Sequence, residues 1–160
     1  MATQTLGTPT ELLHFQLRTA LTMEDDSLAA LGELAKAAKS ANIKQMFKHH
    51  ADETKEQIDN LHKVFDILGL KQTTAPSPST KGISKQAASL IMRSAPKLRD
   101  IVVLSSALGN EHYEIASYES LIIPVTGMGA NDAVALLRAN LDQETHTSEE
   151  LKAELERIAS

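Results

Sequence analysis

Four long stretches of this chain carry apolar residues at the three- and four-residue spacing of a helix, and near the middle of each stripe a glutamate replaces the expected apolar side chain. These are Glu24, Glu53, Glu111 and Glu144. A helix that buries its apolar face buries such a residue too, and an unpartnered carboxylate taken out of water either carries a large free-energy cost or stays neutral. Four acids aimed at one core point to resident cations.

The first predicted helix spans about 9–39. Thr8-Pro9-Thr10-Glu11 opens it, with Thr8 as N-cap, Pro9 in the first turn and Glu11 completing a capping box. Its seam is Leu17, Leu21, Leu28 and Leu31, and Glu24 falls between Leu21 and Leu28. The second helix, about 41–69, is capped by Ser40 or Asn42 and carries Phe47, Thr54, Ile58, Leu61 and Phe65, with His50 and Glu53 three apart on the border of that face. Residues 71–82 form a polar connector containing two prolines, followed by a short helix at 83–94.

Pro96 opens the third long helix, 97–123, whose seam reads Ile101, Leu104, Leu108, Glu111, Ile115, Tyr118 and Ile122 before Pro124 and Gly127 end it. Asn131 or Asp132 caps the fourth, 131–159, with Val134, Leu137, Leu141, Glu144, Ser148, Leu151 and Leu155 facing inward. The connector between the second and third helices is long enough to return along a helix of about 42 Å, which makes those two helices parallel. The midpoints of the four spans fall near residues 24, 55, 111 and 145, so the glutamates share one level of the bundle.

The expected fold is therefore all-α: one domain over residues 1–160, a four-helix bundle with a long crossover between its second and third helices that contains a short extra helix, and a flexible N-terminus at 1–7. Composition agrees, since aromatics are only 3% and Ala, Leu, Lys and Glu are abundant. Cysteine is absent, which removes thiolate sites and leaves Glu, Asp and His as donors, a set suited to iron or manganese. The net charge of −5 and the scattered basic residues exclude a nucleic-acid-coating protein. No segment has the apolar core of a secretion signal or the roughly 18 apolar residues of a membrane span, so no membrane partner is expected and the expected location is cytoplasmic.

Two divalent ions carry four positive charges, which four glutamates neutralise. His50, one turn before Glu53, is placed as a nitrogen ligand or as a donor behind the ligands. Glu114, one turn after Glu111, is placed as a fifth carboxylate or as its support. His112, about 100° around the helix from Glu111, is expected to point between helices. The predicted metal set is thus Glu24, His50, Glu53, Glu111, Glu114 and Glu144, holding two iron or manganese ions. The competing reading of the same residues is a buried acid network matched by His50, His112 or lysines. His14, His49, His62 and His146 are out of register with the layer and read as structural or solvated. Tyr113 and Tyr118 read as packing residues, with Tyr118, two turns from Glu111, also placed to support electron transfer.

Two segments carry a more specific signal: Met46-Phe47-Lys48-His49-His50-Ala51-Asp52-Glu53-Thr54, followed by Gln57-Ile58 and Leu61, and Asn110-Glu111-His112-Tyr113-Glu114-Ile115-Ala116-Ser117-Tyr118. They resemble the signature segments of the YciF/YciE family of ferritin-like bacterial proteins, over roughly Glu11 to Leu155. The resemblance implies a ferritin-like bundle, a homodimer, an association with bacterial stress responses and a dinuclear metal site. It carries ligand roles onto Glu24, His50, Glu53, Glu111, His112, Glu114 and Glu144. Two departures stand out. Leu21-Thr22-Met23 precedes Glu24 where the family has a Tyr and an Ala, and Gln143-Glu144-Thr145 is followed by Ser148 where the family has an acidic or amide residue, leaving the fourth helix short of one oxygen ligand.

The leading function is a dinuclear metal protein with oxidase or peroxide-scavenging activity, for which dioxygen or peroxide is the small-molecule substrate. The alternative is a non-enzymatic helical dimer, structural or interacting, with a degenerate metal site. An iron-storing cage is disfavoured because no further helix follows Ser160, and haem because no Met or His pair stands at matching seam levels.

Overall fold

The computed structural model describes residues 5–160, so most of the segment 1–7, expected to be flexible, lies outside the described residues. These fold into α1 (Pro9–Ala37), α2 (Ala41–Leu68), α3 (Pro78–Arg93), a 3-10 turn (Pro96–Leu98), α4 (Arg99–Gly127) and α5 (Asn131–Ala159), with no strand among them.

The capping box at the start of α1 is formed. The Glu11 amide donates to Thr8 Oγ1 at 3.2 Å, while Glu11 Oε2 accepts from the amides of Gly7 at 2.8 Å and Thr8 at 3.0 Å. Helix α1 stops at Ala37 rather than 39 because Ala38 turns extended. That turn frees the amides of Lys39 and Ser40, and both donate to the carboxylate of Asp100, at 2.6 and 3.1 Å. Neither Ser40 nor Asn42 supplies a side-chain cap to α2: Ser40 makes no such bond, and the Asn42 amide instead donates to Glu154 of α5 at 3.2 Å. At its other end α2 closes on Gly69, whose φ of 65° is the left-handed conformation that allows the Leu70 amide to reach back to the Phe65 carbonyl at 2.9 Å.

Two further helix ends depart from the sequence pattern for local reasons. Helix α3 begins at Pro78 rather than at 83, since Ser77 is its N-cap, Pro78 fixes φ in the first turn, and the Thr80 hydroxyl lies 2.8 Å from both Ser77 Oγ and Asp26 Oδ2. Helix α4 runs through Pro124 to Gly127. A proline there removes only its own bond to the preceding turn, and the extra turn buries Val125 in the core. Helix α5 starts at Asn131 as expected, but its N-cap is Ala130, so neither Asn131 nor Asp132 caps it.

The crossover returns along α1: the Ala75 amide donates to the Arg18 carbonyl at 3.2 Å and Arg18 Nη2 donates to the Thr74 carbonyl at 3.0 Å. Helix α4 then starts beside the start of α2, where Asp100 binds the Lys39 and Ser40 amides, so α2 and α4 are parallel. Helix α5 runs antiparallel to both, bringing Glu154 to Asn42 and Asn140 to Gln57.

The apolar interior is divided. One cluster packs Leu13, Leu17, Leu61, Phe65, Leu121 and Leu137 at one end of the bundle. The other packs Leu31, Leu34, Ile43, Phe47, Leu104 and Leu151 at the opposite end. Each fully buried Leu or Phe contributes about 1.5–3 kcal/mol relative to exposure. Between the two clusters lies a polar layer.

Candidate metal centre

That layer is built by the mid-turns of α1, α2, α4 and α5. Glu24, Glu111, Glu114 and Glu144 are all out of contact with solvent, as is His50 apart from a trace. One donor atom from each of His50, Glu111, Glu114 and Glu144 lies within 4.8 Å of every other. Donors on opposite sides of one ion stand roughly 4 Å apart when metal–ligand bonds are about 2.1 Å, so an ion would draw these groups together with little movement.

His50 is held in a defined orientation. Its Nε2 faces inward, 2.8 Å from Glu111 Oε1 and 3.8 Å from Glu144 Oε2. Nε2 does not meet hydrogen-bond geometry with any partner despite the short approach to Glu111. The outward Nδ1 lies 3.5 Å from Glu53 Oε2 and 3.3 Å from the Thr147 hydroxyl. A carboxylate behind an imidazole fixes the ring and its tautomer, leaving the other nitrogen for a ligand.

The carboxylates show the same shortage of partners. Both oxygens of Glu114 and of Glu144, and Oε2 of Glu24 and of Glu111, have no hydrogen bond. Buried polar atoms are almost always paired, so this concentration at one level is unusual. Burial raises Glu24 to about 8, with the Tyr118 hydrogen bond opposing and the charge of Glu111 adding. Burial first, and then the neighbouring acids, push Glu114 and Glu144 well above the usual carboxylate range. Burial would lower His50, but its contacts with Glu111 and Glu53 outweigh it and raise the imidazole to about 9. Glu53 is lowered, chiefly by His50.

Of the six residues predicted as ligands, His50, Glu111, Glu114 and Glu144 converge, while Glu24 and Glu53 flank them. Glu24 is engaged by the Tyr118 hydroxyl, which donates to its Oε1. The Glu53 side chain, 16% exposed, sits outside His50 and also lies 3.5 Å from His49 Nε2. His112 is exposed and does not join the layer. Ser148 donates its hydroxyl to the Thr145 carbonyl at 2.7 Å, so it turns to its own helix. His14, His62 and His146 lie outside the layer, contacting the Lys71 carbonyl, Gln72 and Glu150 respectively.

Gln57, Asn140 and Thr147 carry no role in the sequence reading, and Tyr118 carries only packing and support of electron transfer. Tyr118 is more than a packing residue: besides binding Glu24, its hydroxyl accepts from Asn140 Nδ2 at 3.1 Å, and Asn140 accepts from Asn60 at 2.8 Å. Gln57 is fully buried, with both amide atoms unpartnered. Thr147 bridges His50 and Glu53 at 3.3 Å to each. Asn140 and Thr147 lie four before and three after Glu144, and Gln57 lies four after Glu53. Polar residues one turn from a buried acid were the available signal.

Ferritin-like di-iron sites carry Glu-x-x-His on each of two helices. The layer here departs from that pattern: its pairs three apart are His50-x-x-Glu53, in the reverse order, Glu111-x-x-Glu114 and Glu144-x-x-Thr147, which gives one imidazole and an oxygen-rich donor set. Such a set suits hard cations.

Comparison with known proteins agrees with this architecture. Residues 8–160 match the family described as Domain of unknown function (DUF892). Protein YciF of Escherichia coli (strain K12) is 31% identical over 120 residues, 74% of this chain and 72% of that protein. The crystal structure of the E. coli stress protein YciF superposes with a TM-score of 0.91 at 26% identity, covering 96% of this chain and 98% of that one. YcfI of Rhodopseudomonas palustris, put forward as a structural protein, gives 0.89 at 29% identity over 95% and 98% of the two chains. A Xanthomonas campestris protein at 24% identity shares the fold, with a TM-score of 0.74 over 93% and 92%. The chain belongs to the DUF892 family and is a relative of the E. coli stress protein YciF.

Proposed function

We propose that this protein holds a pair of iron or manganese ions in its central layer and reacts with dioxygen or peroxide under stress. The observation that carries this reading is the convergence of His50, Glu111, Glu114 and Glu144 within 4.8 Å, with buried oxygens that lack any other partner. The residues fit such a group, because the donors are oxygen-rich and cysteine is absent. His50 through Nε2, Glu111, Glu114 and Glu144 would hold the ions, with Glu24 and Glu53 completing the set. When bound, the pair supplies redox cycling between two oxidation states. The chain's own contribution is positional. Glu53 and Thr147 hold the His50 ring, Tyr118 holds Glu24, and the two apolar clusters keep bulk water from the layer.

Anaerobic loading with Fe(II) or Mn(II), followed by elemental analysis, is expected to give about two ions per chain, and none in Glu144→Ala or His50→Ala variants that remain folded. Protein that stays empty under these conditions refutes the reading. The assembly is taken to be a homodimer and the location cytoplasmic, the first checked by sedimentation. No described helix is long and apolar enough to cross a membrane.

A second reading, a helical structural protein with a degenerate site, draws support from Ser148, whose hydroxyl turns back to Thr145. It expects the metal-free double variant Glu24→Leu, Glu144→Leu to be more stable than wild type and metal uptake to be absent in both.

A further inference from the structure

We infer that the cleft between α1, α3 and α4 is a binding site for a medium-chain fatty acid, an unbranched aliphatic carboxylate. Helix α3 seats Thr80 and Ala87 fully and Ile83 and Ile91 partly against the bundle, and leaves an open cleft beside α1 and α4. The space left beneath it is about 760 Å³, within the range of roughly 300–1,000 Å³ typical of small-molecule sites. Its walls are aliphatic: Ala30, Leu34 and Ala107 on one side, Ile83, Ala88 and Ile91 on the other. No aromatic ring lines it, so the surface suits a flexible alkyl chain over a stacked ring. The α1 wall from Asp26 to Ala37 is roughly 16 Å long, which calls for an elongated occupant.

Charge sets the orientation. Lys81 and Lys85 border the cleft, are exposed, and form no ion pair among the described residues. Lys36, toward the other end of the α1 wall, is paired with Glu33 at 2.8 Å, whereas at the near end the two lysines outnumber the single carboxylate of Asp26, which the Thr80 hydroxyl holds. A carboxylate therefore docks at Lys81 and Lys85, with its chain lying toward Leu34 and Ile91. The wall also contains Glu111, almost fully buried, whose Oε2 has no hydrogen-bond partner. The cleft thus shares a residue with the central layer, although ligand binding in it does not depend on metal.

The test is calorimetric titration of dodecanoate, below its micelle concentration, into the full-length protein stripped of metal. Micromolar one-to-one binding with a negative heat-capacity change is expected. Ala88→Phe, at a solvent-exposed position on the α3 wall of the cleft, fills it and is expected to weaken binding at least about tenfold. The surface pair Lys81→Glu, Lys85→Glu is expected to weaken dodecanoate about tenfold while leaving dodecanol unchanged. Absence of binding overturns the inference, as does undiminished affinity in Ala88→Phe. So does a change in oligomeric state in Ala88→Phe without ligand binding, which would make the cleft an interface between copies. Should Ala88→Phe not fold, the lysine pair decides alone, and unchanged dodecanoate affinity there overturns it. Because the protein is metal-free, failure of metal uptake and failure of dodecanoate binding remain separate results.

Discussion

Replacing Glu24 by Gln in metal-free protein tests the electrostatics of the layer directly. Burial lifts the Glu24 carboxyl from 4.5 to about 8, so between those pH values the folded chain keeps a proton that the unfolded chain has released. Stability then falls as pH rises, by about 1.4 kcal/mol per pH unit for one such proton. The contribution is fully favourable below pH 4.5, is lost progressively above it, and levels off past pH 8 after a total of roughly 5 kcal/mol. Gln keeps an oxygen for the Tyr118 hydroxyl and cannot ionise. His50, raised from 6.5 to about 9, and Glu114 and Glu144, both raised by burial and by neighbouring acids, act in the same direction in both proteins.

Urea unfolding of chelator-treated protein at pH 5, 6, 7 and 8 is therefore expected to show a shallower decline in the variant, by close to one proton. The gap at pH 8 corresponds to roughly 2–4 °C in Tm for each kcal/mol. In protein loaded with divalent metal the order reverses, because cations favour the ionised carboxylate that Gln lacks. A difference in slope below about 0.5 kcal/mol per pH unit would refute the claim that Glu24 is held protonated by burial.

Tyr118→Phe removes the donor to Glu24 and one of the two acceptors of Asn140 Nδ2, which keeps the Gln57 carbonyl, and is expected to cost about 1–3 kcal/mol in urea unfolding. A loss under half of that would mean that water replaces the hydroxyl. Phe65→Ala, in a fully buried position, is expected to cost about 3–5 kcal/mol, and a smaller effect would show that the cluster collapses around the gap. Asp100→Ala is expected to cost about 1 kcal/mol and to speed amide hydrogen exchange at Lys39 and Ser40, so unchanged exchange there would reject its capping role.

Much of this molecule is legible in the stripes. Leu17, Phe47, Leu104 and Leu137 are read as inward from spacing alone and are fully buried. The caps and ends were harder. The last helix starts at Asn131 as its spacing indicates, but although Asn131 and Asp132 have the composition of caps, that preference is only a local bias and the N-cap is Ala130. Pro124 looked like a stop, yet a proline near a helix end forfeits little, and burying Val125 outweighs it. The inward glutamates were visible because an acid in an apolar stripe breaks a period. Asn140 and Gln57 were not, since a neutral amide on a seam carries no charge penalty and draws no attention until its neighbours are known. Whether Glu53 faces the ions or backs His50 depends on a few tens of degrees of helix rotation, which spacing does not resolve.

The bond from Asp100 to the turn before α2 also bears on how the chain is made. The carboxylate that ties the Lys39 and Ser40 amides belongs to a residue some sixty positions downstream. When α1 and α2 have left the ribosome and α4 has not, their hairpin lacks that clasp and its bend stays loose. Synthesis of the second half then finishes the first, so a truncated product ending before α4 would open at this corner.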